Sequence, residues 1–122
     1  MSKIVIAVNV MIEQRDKISN VLKGGNENEI YFNYDSKHKW SMIQSDGTYT
    51  LFYYPGSHSL SMLASIRAED WPDDIDMAVY RSKDIGTKEA KDSFAELYSV
   101  LKEMKFGMDK ILDEIIATDE PF

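Results

Sequence analysis

Two histidines and one aspartate are the side chains of this sequence best suited to chemistry. An Asp46-Gly47 turn sets a strand register that puts Lys39 opposite Tyr54, so His38 sits beside Pro55. His58 follows just after, and Asp35 lies close by in sequence. Two imidazoles and a carboxylate can hold a divalent metal or a water, the equipment of a metal-assisted hydrolase. No pair among them has the fixed helical spacing of a ligand pair, and two ordinary loop histidines is the better reading. Ser57-His58-Ser59 sets hydroxyls beside a base in sequence, but without a glycine-framed elbow it reads as a turn or a helix cap. The chain has no cysteine, no glycine-rich phosphate loop and no dinucleotide fingerprint. No catalytic residue, metal or cofactor is therefore assigned, and the sequence points away from an enzyme.

Carboxylates dominate a second segment, Glu69-Asp70-Trp71-Pro72-Asp73-Asp74-Ile75-Asp76. Hard cations take several carboxylate oxygens, but the spacing lacks the glycine and closing glutamate of an EF-hand loop. The functional reading is a contact patch for a basic protein, formed by Glu69, Asp70, Asp73, Asp74 and Asp76, with Trp71 as its anchor. The blander and favoured reading is a solvated loop with Trp71 folded back on the core. Net charge is −7. Residues 1–59 are neutral, and residues 60–122 carry the whole excess, eight basic against fifteen acidic. Such a chain repels a nucleic-acid backbone, which excludes direct DNA or RNA binding. The longest apolar run, Ile4–Val8, is too short to span a membrane, and the N-terminus shows no cleavable signal. Cytoplasmic location is expected.

The elements that position these groups follow from periodicity. From Ala90, apolar residues fall at Ala90, Phe94, Leu97, Leu101, Met104, Met108, Ile111 and Ile115, in alternating steps of four and three. One helix of about 30 residues would be about 45 Å long, longer than a domain of this size is wide. Part of its stripe should then leave its own core. A homodimer contact through Leu97, Leu101, Met104, Met108 and Ile111 is expected, with Gly107 marking a bend or a close backbone approach.

Residues 3–23 keep a helical stripe in one phase (Ile4, Val8, Met11, Arg15, Ile18, Leu22). They are expected to form one helix ended by Gly24-Gly25, the alternative being a strand to Val10 followed by a helix. Strands are expected at 29–34, at 39–45 and 48–54 around the Asp46-Gly47 turn, and at 75–81; 59–67 fits a strand or a short helix. Trp40, Met42, Leu51 and Tyr53 form the core face of the hairpin. The opposite face is mixed, because Ile43, Phe52 and Tyr54 lie among its polar residues. It needs a cover: a ligand, a partner, a second subunit, or the chain's own helix.

These elements give a single α+β domain, 1–122, in two layers: an antiparallel sheet of four or five strands flanked by an N-terminal helix and a long C-terminal helix. The element order is similar to that of bacterial type III secretion chaperones, also small and acidic, though no motif carries the resemblance. The function expected is that of a non-enzymatic acidic interaction protein, a homodimer that binds or neutralises another protein. The alternative is a small-ligand binder using the aromatic sheet face.

Overall fold

The Asp46-Gly47 turn is the organising feature of the computed structural model, which describes residues 2–25, 28–65, 70–71 and 75–118. Both turn residues have positive φ, 51° and 77°, as a two-residue hairpin turn that follows the strand twist requires. Strands β3 (His38–Ser45) and β4 (Thr48–Tyr54) pair in the expected register, with Ser45 opposite Thr48, Met42 opposite Leu51 and Lys39 opposite Tyr54. Strand β2 (Glu29–Tyr34) flanks β3, and β5 (Ala78–Arg81) flanks β4. With β1 (Ile18–Lys23) they form a five-stranded antiparallel meander in the order β1-β2-β3-β4-β5. The fold is α+β, an antiparallel sheet flanked by N- and C-terminal helices.

Strand β1 corrects the sequence reading. Residues 3–23 are neither one helix nor a strand followed by a helix. They are helix α1 (Lys3–Glu13), a 3-10 turn (Arg15–Lys17) and then β1. Backbone bonds turn the chain without glycine or proline: Gln14 N–H donates to Val10 O at 2.8 Å, and Lys17 N–H to Gln14 O at 2.9 Å. Beyond the turn, β2 offers an unpaired edge, and Ile18–Lys23 bonds to it, with Ile18 opposite Tyr34 and Lys23 opposite Ile30. A ladder on a buried sheet outweighs the helical periodicity, which is a weak prior for a segment this short. Asn20, at φ 55°, lies where the β1–β2 register shifts between Ser19 and Leu22.

The long C-terminal helix is also divided. It comprises α4 (Lys88–Phe106) and α5 (Met108–Ala117), separated by Gly107 at φ 66° and ψ 36°. Thr87 starts α4, its hydroxyl accepting from Ala90 N–H at 3.1 Å. Gly107 ends it, its N–H donating to Met104 O at 3.0 Å. A Cβ built on Gly107 would meet nothing within 4 Å, so the glycine serves its left-handed conformation and not a close backbone approach.

Helices α1 and α4 lie together on one face of the sheet, joined by Ser93 Oγ donating to Asn9 Oδ1 at 2.7 Å. Val8, Met11, Phe94, Leu97 and Leu101 meet Ile30, Phe32, Met42 and Leu51 there. Full burial of each such side chain stabilises by about 1.5–3 kcal/mol. Of the four residues assigned to the hairpin core face, Met42 and Leu51 are fully buried; Trp40 packs at the margin, its ring edge-on to Tyr53. On the other face lies α2 (Leu60–Ser65), which resolves 59–67 in favour of a short helix over its described part. Helix α3 (Ser82–Ile85) links β5 to α4, and Ser82 Oγ accepts from Tyr49 N–H at 3.1 Å. Among the described residues no helix is long and apolar enough to cross a membrane.

Candidate functional site

His38 and His58 come to the same end of the sheet, by different means. His38 opens β3 and its Nδ1 lies 3.2 Å from the Tyr53 hydroxyl, on the side of Trp40 and the helices. Lys39 points to the other side, where its ammonium donates to the carbonyls of Gly56 and His58, the latter at 2.7 Å. That clamp fastens the 55–58 turn to the sheet. Among the described residues no three His, Cys, Asp or Glu side chains gather closely enough to hold a metal ion.

The second sheet face is filled by the chain's own side chains. Tyr31 and Tyr54 stack with ring centres 5.9 Å apart and are covered by Leu60, Leu63 and Ala64 of α2. Of the residues assigned to a ligand or partner face, Tyr54 is 3% exposed, Phe52 packs beside this cluster, and Ile43 is half-buried farther along β3. From the acidic segment, Trp71 lies edge-on to Tyr54 at 5.8 Å, the folded-back position, while Asp70 and Asp76 are exposed. Glu69, Asp73 and Asp74 lie outside the described residues.

Beneath α2 sits a polar group that sequence reasoning missed. Glu29 and Ser41 are buried, and Ser41 Oγ donates to Glu29 Oε2 at 3.3 Å while lying 2.7 Å from Tyr54 Oη. The Tyr31 hydroxyl joins them through Tyr54 and Glu29. Burial pushes the Tyr54 hydroxyl up to about 12, and burial with the nearby Tyr54 and Glu29 pushes Tyr31 higher still. Both phenols therefore stay protonated and donate hydrogen bonds at neutral pH. The cluster satisfies a buried carboxylate and links β2, β3 and β4 under the apolar cover of α2. Its signal was in the sequence: the alternation that aims Ile30 and Phe32 at one core aims Glu29 and Tyr31 at the opposite face.

The C-terminal stripe divides between inside and outside. Leu97 and Leu101 are fully buried in the chain's own core, and Met104 packs at its edge. Met108 is half-buried, Ile111 is 40% exposed, and α5 has no buried residue at all. Leu112, Ile115 and Ile116 extend the apolar surface, exposed by 48%, 59% and 66%, and Phe106 adjoins them. Where α5 turns away from α4, a groove of about 560 Å³ opens, lined by Arg15, Val100, Met104, Met108 and Leu112 among others. Ridge and groove are contiguous, and among the described residues they hold the most exposed large apolar side chains; Ile6 and Val10 of α1 and Val79 and Tyr80 of β5 are also exposed. Of the expected dimer contact, Met104, Met108 and Ile111 lie on this ridge and groove and Leu97 and Leu101 do not; Leu112 and Ile116 lie off the straight-helix seam. No protein-family model, curated protein or solved structure matches this chain.

Proposed function

We propose that the chain is a non-enzymatic, cytoplasmic interaction protein that docks on another polypeptide through α5 and the adjoining groove. One observation carries this reading: a ten-residue helix with four large aliphatic side chains and no buried residue. With Phe106 these side chains leave on the order of 500 Å² of apolar surface to water, the size of the largest patch on an ordinary monomer, which is often functional. An isolated helix of this length is marginal in water, so its sequence is accounted for by a partner better than by its own stability. The ligand-binding alternative draws less support, because aromatic side chains and α2 fill the sheet face it requires.

A second copy of the chain is the other occupant this surface admits. The expected homodimer would then rest on Met104, Met108 and Ile111, since Leu97 and Leu101 have no exposed surface to offer. Site-specific photo-crosslinking in the native host tests the docking reading. A photoreactive residue replacing Ile115 is expected to trap a discrete protein, and one replacing the exposed Asp92 on α4 is expected to trap none. A product of about 28 kDa, twice the 14.0 kDa chain, would identify a second copy. Equal, diffuse labelling from both positions would contradict the reading.

A further inference from the structure

We infer that the occupant of the α5 surface is an amphipathic helix whose apolar face is flanked by lysine or arginine, an inference that rests on the docking reading above. At about 100° per residue, Met108, Ile111, Leu112, Ile115 and Ile116 span an arc of about 140° on α5. Asp109 and Asp113 border one side of that arc, and Glu114 borders the other. Lys110, the lone cation of α5, lies across the helix from the apolar arc and lines the groove, as does Asp109. Both rims of the stripe are therefore acidic, and the carbonyl end of α5 adds partial negative charge. Around the groove, Asp16, Glu103 and Asp109 outnumber Arg15 and Lys110, and Arg15 Nε donates to Ile12 O at 3.1 Å. Lys105 of α4 stands over the Phe106 ring and brings one cation to the α4 end of the patch, while Lys102 lies over Tyr98. The balance of the surface is negative, in a chain of net charge −7.

This rim chooses between occupants. A second copy would bring a net-negative α5 against its own likeness, and like charges bordering a contact oppose association. A helix with cations at the same flanking positions would meet them favourably and still fill the apolar stripe. A ridge beside a groove suits a helix, which anchors through side chains at i, i+3, i+4 and i+7.

The test uses the full chain and two synthetic helical peptides with the same leucine stripe, one flanked by lysines and the other by glutamates. Binding is read by fluorescence anisotropy of the labelled peptide near physiological ionic strength. The lysine peptide is expected to bind at least roughly tenfold more tightly. Asp113→Lys with Glu114→Lys is expected to erase that preference, and Ile111→Ser with Ile115→Ser to abolish binding. Equal affinity for both peptides, lost in the serine variant, would overturn the basic partner and leave the docking surface standing. Lysine-peptide binding that survives the serine variant would overturn the inference, because attraction would then reside elsewhere on the acidic surface. A stable dimer that excludes both peptides would make the second copy the occupant and overturn it too. A monomer that binds neither would overturn the inference and the docking reading together.

Discussion

At the scale of single residues, the Glu29–Ser41–Tyr31–Tyr54 cluster makes the strongest demands. Gly24 lies against it, and a Cβ there would come within 2.7 Å of Tyr31 Cε1 and 3.1 Å of Glu29 Oε1. The Tyr31 ring is buried and cannot retreat, so Gly24→Ala is expected to cost about 1–3 kcal/mol in urea unfolding, through overpacking. The cluster also sets a pH dependence. Tyr54 holds its proton up to about pH 12 in the fold but releases it near pH 10 once unfolded. Both states are protonated below pH 10, so the contribution of this group is complete there. Above it the native state binds more protons than the unfolded one, and stability falls by up to about 1.4 kcal/mol per pH unit for each such group, Tyr31 included. Burial also raises Tyr98, so tyrosinate absorbance followed with circular dichroism should show Tyr31, Tyr54 and Tyr98 ionising last of the seven tyrosines, Tyr31 and Tyr54 only with loss of structure. Ionisation of all seven in an intact fold would contradict the buried network.

At the scale of elements, α4 and α5 look alike in the sequence and serve opposite ends. Leu101→Ala is expected to cost about 2–5 kcal/mol, as truncation of a fully buried leucine does, whereas Ile115→Ser should change stability by no more than about 0.5 kcal/mol. Equal losses at the two positions in denaturant unfolding would mean that α5 packs on its own chain. The hairpin and its register were legible because Asp46-Gly47 is a local signal: two positions that accept positive φ fix which strand residues face each other. Strand β1 was not legible, because what makes it a strand is the β2 edge, beyond the reach of local periodicity. The stripe from Ala90 was legible as apolar, and Gly107 as a bend or a close backbone approach; the structure has the break, which ends one helix and starts another. A single glycine in the left-handed region changes the helix direction without disturbing the pattern of spacing on either side.

At the scale of the whole molecule, the chain's own helices pack on both faces of the sheet, leaving Val79 and Tyr80 of β5 exposed, and α5 projects beyond that cover with its apolar side chains in water. The candidate surface was half legible, since Met104, Met108 and Ile111 followed from the seam, and Leu112 and Ile116 come to matter once the seam breaks at Gly107. The most direct test of the claim that α5 belongs to a partner is amide hydrogen exchange of the full chain, diluted until light scattering gives a monomer. Amides of 108–117 are predicted to exchange much faster than those of 94–101, because an unpacked helix of ten residues opens readily while the middle of α4 opens only with the core. Protection of 108–117 equal to that of 94–101 in the monomer would contradict the account, because α5 would then pack on its own chain and leave no apolar face of its own for a partner.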